Sequence, residues 1–188
     1  MNIFIDSIST TSYICIFDKN RKIINDMYTQ VKWNESSKLI PDITCFLEEN
    51  KIKQSDIENI IVVNGPWSFT GVRTTVLIAN TMNYILKKNM TPLSYFDLFE
   101  QYPIIKSSSR RDHFVQKSDN TEIEIIENSL LEEYFWNNNI SRVYWETSYD
   151  FQNVEVLEKI DYNRIIQELE LKKYTKIDPL YIKKPNIS

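Results

Sequence analysis

Few residues of this chain are typed and spaced for chemistry. Its single histidine, His113, excludes sites built from two or three imidazoles. Cys15 falls in an apolar strand pattern and Cys45 in a helical one. They lack CxxC spacing, and both read as buried, reduced core residues. No serine sits in a GxSxG turn, so a hydrolytic nucleophile is not apparent. The most informative run is Gly65-Pro66-Trp67-Ser68-Phe69-Thr70-Gly71, which holds both of the chain's 2 glycines. Gly65 ends a β-branched stretch, where a sharp turn often needs φ > 0, and Gly71 falls in the first turn of a helix, where a missing Cβ permits close packing. Ser68 or Thr70 caps that helix, and Arg73 projects from its first turn. An anion site is one reading of helix N-terminus, hydroxyls and guanidinium. A tight strand-to-helix corner is the other. GxxxxGK[ST] is absent, so a P-loop is excluded and the structural corner is preferred.

The elements around this run follow from periodicity. Ile3 to Ile5, Tyr13 to Phe17 and Lys22 to Val31 read as three strands joined by tight turns. Ser36-Ser37 reads as the N-cap of a helix to Asn50, with Leu39, Ile40, Ile43, Phe46 and Leu47 recurring at helical spacing. Pro41 falls near its first turn, where proline is tolerated. Ile60 to Val63 is a buried strand. Thr70 to Lys88 is a helix with two apolar stripes. Val72, Val76, Ala79 and Leu86 form one; Ile78, Met82 and Ile85 form the other. Such a helix is buried twice or offers its spare side to a partner. Pro92 to Tyr95 reads as a strand, and Pro103 as a boundary. Beyond it, Ile104 to Ser109, Phe114 to Lys117, Ile123 to Ile126 and Arg142 to Trp145 read as strands. Leu130 to Trp136 and Asp161 to Lys172 read as helices, and Pro179 to Ile182 as a short extended piece. The chain thus divides into residues 1–103 and a shortened 104–188 with a basic tail, Lys183 to Ser188.

Composition bounds the function classes. The chain has 188 residues, 42% of them hydrophobic and 26% charged, an ordinary globular composition. Two glycines cannot furnish several glycine-rich phosphate loops. The formal net charge of -4 argues against a dedicated nucleic-acid binder. Arg110-Arg111, Lys172-Lys173 and Lys183-Lys184 are local basic clusters that could touch RNA only as an auxiliary contact. No apolar run is long enough to span a membrane, and no secretory leader is recognisable, so a cytoplasmic protein is expected.

Gly65-Pro66-Trp67-Ser68-Phe69-Thr70-Gly71-Val72-Arg73 resembles the GPGSFTGxR signature of the TsaB (YeaZ) family. Ile3-Phe4-Ile5-Asp6-Ser7 resembles that family's opening ILxIDTS. Ser108-Ser109-Arg110-Arg111 resembles its DARxGxVY, and Pro179-Leu180-Tyr181-Ile182-Lys183 its closing PxYLR. The similarity runs in order along nearly the whole chain. Trp67 departs from the second glycine of the signature, so the turn there must avoid positive φ. Ser108 stands for an acidic residue and Asp112 for a glycine.

The resemblance implies an α/β, actin-like (RNase H-like) fold of two subdomains, mixed sheets flanked by helices. It implies a non-catalytic scaffold that pairs with TsaD, with TsaE in the larger complex, to make threonylcarbamoyladenosine in tRNA. Pairing would use the first two helices, with TsaD or as a homodimer; Ile40, Thr44, Leu47, Ile78, Met82 and Ile85 are the expected partner-facing residues. Arg73 is expected either as a polar contact at the bundle end or as a surface ion pair. Gly65, Pro66, Ser68, Thr70 and Gly71 form the structural turn. No metal or cofactor is expected. Asp6 stands where an actin-like ATPase keeps its metal-organising aspartate; a carboxylate capping the next turn is the preferred alternative. An actin-like small-molecule kinase or ATPase, or a glycoprotease-like peptidase, are the competing functions. For the latter, His113 would be the sole base; a residue lining a strand of the second half, exposed or lightly packed, is the preferred alternative.

Overall fold

A computed structural model describes residues 1–30, 38–145, 151–157 and 160–182. The chain divides into two compact units, Met1–Tyr95 with Tyr162–Ser188, and Phe96–Asp161. The division therefore differs from a cut at Pro103. The C-terminal stretch from Tyr162 joins the first unit, because its side chains and backbone bond there: Tyr162 to Asp6, and Tyr174 to Met90.

In the first unit, β1 (Asn2–Asp6), β2 (Thr11–Phe17) and β3 (Ile23–Gln30) form an antiparallel meander, and β4 (Asn59–Val63) and β5 (Asn89–Leu93) add in parallel. The sheet order is β3-β2-β1-β4-β5. Ile3, Phe4, Ile5 and Ile60 to Val63 are fully buried, as continuous apolar runs covered on both faces should be. β5 starts at Asn89, before the expected Pro92. Its polar Thr91 is buried because Lys172 supplies both partners of the hydroxyl: the Thr91 Oγ1 donates to the Lys172 carbonyl and accepts from the Lys172 N–H.

Two helices connect the strands. α1 (Leu39–Glu49) buries Leu39, Ile43, Phe46 and Leu47, a stripe at helical spacing. The proposed caps Ser36-Ser37 lie outside the described residues. Cys45 falls off that stripe and is exposed, its thiol 3.3 Å from Glu49 Oε1, which corrects its expected burial. Cys15 is buried in β2, and burial pushes its thiol up to about 12. α2 (Phe69–Leu86) ends at Lys87 in the left-handed conformation common at helix C-termini.

In the second unit, β6 (Ile104–Ser107), β7 (Asp112–Gln116) and β8 (Glu124–Glu127) form a meander, then α3 (Leu131–Asn137), β9 (Arg142–Tyr144) and β10 (Glu155–Leu157) follow. The sheet order is β10-β9-β6-β7-β8. Its core is Ile105, Val115, Leu131, Phe135, Val143, Trp145 and Phe151. β10 has only three residues, too few for a periodic signal, and the sequence reading lacked it. α4 (Tyr162–Glu168), in the first unit, is shorter than the expected helix to Lys172.

Candidate functional site

The Gly65–Arg73 run forms the corner between β4 and α2. Gly65 has φ +132, a region that L side chains rarely adopt. A Cβ there would also lie 2.6 Å from the Leu180 carbonyl oxygen. Ser68 is the N-cap, its Oγ accepting from the Gly71 N–H at 3.2 Å. Of the two candidate caps the chain uses Ser68, while Thr70 offers its carbonyl to the Thr74 hydroxyl. A Cβ on Gly71 would stand 2.9 Å from Ser68 Oγ and 3.2 Å from the Trp67 ring, so Trp67 packs into its own corner. Pro66 is buried. With Ser68 filling the cap, the geometry is that of a structural turn.

The C-terminal stretch straps this corner and one edge of α2, a feature that sequence reading missed. Asn83 Nδ2 donates to the Thr175 carbonyl. Asn80 bonds both backbone groups of Ile177, donating to its carbonyl at 2.9 Å and accepting from its N–H at 3.0 Å. Asn64 Nδ2 donates to the Asp178 carbonyl, and the Leu180 N–H donates to the Asn64 carbonyl. Tyr181 then stacks on Phe69 at 5.1 Å, and the Arg73 guanidinium lies over the other partner of that stack, 5.0 Å from the Phe69 ring. The signal was two asparagines, Asn80 and Asn83, inside a helix that needed no cap there.

Those asparagines also rotate the outer face of α2. Thr75 and Asn83 are buried, their polar groups satisfied by Gly71, Ser7, Thr175 and Lys88. A reading by hydropathy turns them outward and shifts the apolar stripe. Ile78 is buried and Met82 half-buried, so of the expected outer stripe only Ile85 is fully outward. The exposed ridge is Leu77 (66%), Tyr84 (75%) and Ile85 (68%). On α1, Ile40 is 58% exposed and Thr44 half-buried, whereas Leu47 is core. Leu47 and Ile78 are therefore corrected from partner-facing to structural.

Asp6 is buried at the end of β1, where four donors meet its carboxylate. The Ile8 and Ser9 N–H groups reach Oδ1 at 3.0 and 3.1 Å; the Ser9 and Tyr162 hydroxyls reach Oδ2 at 2.6 and 2.8 Å. This is the capping geometry. Burial and the neighbouring carboxylate raise the Tyr162 phenol above its ordinary range, so it stays a donor.

His113 is buried on β7, not lightly packed as expected. Its Nδ1 lies 2.8 Å from Asn128 Oδ1, and Asn128 Nδ2 donates to the Arg110 carbonyl. That second bond fixes the amide's orientation, so His113 carries its proton on Nδ1. Nε2 then faces the Ser107 hydroxyl at 3.3 Å, and the ring meets Trp145 edge-on. Burial lowers the His113 pKa, outweighing the opposite pulls of Asn128 and Asp112. Ser107 and His113 are opposed across the β6–β7 ladder, so the pair is a cross-strand contact. Arg110 and Arg111 are exposed in the β6–β7 turn. Lys183-Lys184 lie outside the described residues. Among the described residues, no group of three or more His, Cys, Asp or Glu could hold a metal, and no helix is long and apolar enough to cross a membrane.

A family model described as TsaD, tRNA N6-adenosine threonylcarbamoyltransferase, matches residues 30–110, which include α1 and α2. The tRNA threonylcarbamoyladenosine biosynthesis protein TsaB of Bacillus subtilis (strain 168) is 33% identical over 64 residues, 34% of this chain and 28% of the relative. Among solved structures, YeaZ from Pseudomonas aeruginosa superposes with TM-score 0.52 at 15% identity, over 68% of this chain and 66% of that one. A second, described as an uncharacterised protein with similarity to the peptidase YeaZ from Pseudomonas aeruginosa, gives TM-score 0.53 at 15% identity, over 68% and 65%. The chain thus matches under a third of the curated relative's length and about two thirds of each structure. The fold is actin-like (RNase H-like), two mixed sheets in two subdomains, and the chain resembles the TsaB (YeaZ) family in sequence motif and in fold.

Proposed function

We propose that the chain serves the synthesis of N6-threonylcarbamoyladenosine in tRNA as a non-catalytic subunit. It pairs with TsaD through α1 and α2, and TsaE joins the larger complex. The observation that carries this reading is the outer ridge of α2. Leu77, Tyr84 and Ile85 stand in water on one face of an otherwise well-packed helix. At about 1.5–3 kcal/mol per fully buried large apolar side chain, covering that face would supply much of a stable contact. A TsaD-type chain is the fitting occupant because the TsaD family model matches the very segment that carries both helices. The non-catalytic part is supported by side chains already engaged: Asp6 by four donors, the two His113 nitrogens by Ser107 and Asn128.

The test is co-expression with the TsaD of the same genome, read by light scattering. The expected result is a one-to-one complex that is lost in Leu77→Glu/Tyr84→Glu. Both positions are exposed, so the variant should melt like the parent. A variant that still binds TsaD would overturn the interface. No complex with TsaD, together with ATP binding by the chain alone in calorimetry, would overturn the scaffold reading in favour of a kinase or ATPase.

A further inference from the structure

The second unit carries a feature that this scaffold role does not use. Phe96–Asp161 holds fourteen Asp and Glu against six Lys and Arg, whereas the remainder of the chain holds twelve against sixteen. The modest net charge of the whole conceals one acidic unit and one basic unit. On the acidic unit, a groove of about 250 Å3 opens between α3 and the turn at Gln152 to Val154. Ile140 and Val154 give it apolar walls, and Glu132, Glu133 and Trp136 stand along it. Trp136 is 79% exposed. A tryptophan so exposed is costly to leave in water, and tryptophan is the residue most enriched where binding energy concentrates. Glu132 spends one oxygen on a long bond from the Gln152 N–H at 3.4 Å. The volume is below that of sites enclosing drug-sized ligands, so it suits one inserted side chain.

An exposed indole and two carboxylates lining one groove have a definite complement. The face of an indole attracts a cation, the carboxylates add charge-assisted hydrogen bonds, and a planar guanidinium satisfies both at once. We infer that this groove docks a basic segment of a partner protein, with an arginine laid on Trp136 and bonded to Glu132 and Glu133. Nucleic acid is repelled by the same charge that attracts such a segment.

The test uses the full chain labelled at its indole N–H groups and an acetylated, amidated Gly-Arg-Ser-Arg-Gly peptide. The Trp136 signal, assigned through Trp136→Phe, should shift saturably, and the Trp67 and Trp145 signals should stay. Trp136→Ala and Glu132→Gln/Glu133→Gln should each weaken binding about tenfold, and a citrulline version of the peptide should not bind. All three sites are on the surface, so melting should be unchanged. Unaltered affinity in either variant, or equal binding of the citrulline peptide, would overturn the inference. A Trp136 shift driven by chain concentration alone would overturn it too, assigning the groove to a second copy. None of these outcomes depends on whether the chain binds TsaD.

Discussion

Phe96–Asp161 repeats the strand order of the first unit, with β6 in the central place that β1 holds. In each, the central strand pairs antiparallel with the next strand on one side and parallel with a later strand on the other. What is laid on the two sheets differs. The first unit crosses from β4 to β5 through α2, an 18-residue helix, and then receives α4 and the strap. The second crosses from β9 to β10 in residues 145–154, too few for such a helix. Its central strand ends at Ser107, opposite His113, where β1 ends at Asp6, opposite Tyr13. Backbone pairing and short connections therefore preserve the sheet, while strand-end chemistry, helix count and charge are free to diverge. The apolar ridge belongs to one unit and the acidic groove to the other.

If each unit has its own core, the second should fail by itself. Its one described α-helix makes Phe135 pivotal: the ring is buried, meets Phe151 edge-on at 5.2 Å and touches the sheet core. Phe135→Ala should cost about 3–5 kcal/mol. With 5-fluorotryptophan, the Trp145 signal should unfold at lower urea while that of Trp67 holds. Parallel movement of both signals would merge the two units into one cooperative body. The converse variant acts on the first unit. Gly65→Ala forces an L side chain into φ +132 against the Leu180 carbonyl, costing about 1–3 kcal/mol from backbone strain alone. There the Trp67 transition should move and the Trp145 transition stay.

How far the sequence revealed these units depended on the kind of signal. Ile60 to Val63 and Tyr13 to Phe17 are runs that water excludes on both faces, and they read as strands without ambiguity. The Gly65–Ser68 corner was legible because a positive φ favours glycine and serine is among the favoured N-caps. Asn80, Asn83 and Thr91 were not legible as inward residues. Their side chains are satisfied by backbone groups of Ile177, Thr175 and Lys172, far along the chain, and no local periodicity encodes such partners. Thr75 was missed for the same reason, its hydroxyl meeting that of Ser7 on another element. The same blindness misplaced Ile78 and Leu47, and hid Trp136, whose meaning lies in the groove beside it.

The strap is the sharpest asymmetry between the units, and Asn80 tests it. Asn80→Ala removes two bonds to Ile177, a loss of about 1–2 kcal/mol. Hydrogen exchange at the Ile177 amide should quicken. Asn80→Asp keeps the acceptor for that N–H and loses the donor to the carbonyl, so it should fall between parent and Ala. Unchanged exchange in Asn80→Ala would detach Ile177 from α2 and leave the strap to the bonds of Asn83 and Asn64 alone.

The smallest effect is confined to the second unit, because the chain's only histidine lies there. Burial holds the His113 pKa below the ordinary value of about 6.5, although Asn128 and the Asp112 carboxylate pull it up. The unfolded chain therefore takes its proton first. The second unit keeps full stability above about pH 6.5 and loses it as pH falls toward the folded pKa. His113→Gln removes that step while leaving the carboxylates of both units to titrate. The urea midpoint of the Trp145 signal should then drop less in the variant than in the parent between about pH 7.5 and 5.5, with the Trp67 midpoint alike in both. Equal slopes for Trp145 would mean that His113 is solvated in the folded unit, and the bonded Ser107–His113–Asn128 chain would have to be abandoned with it.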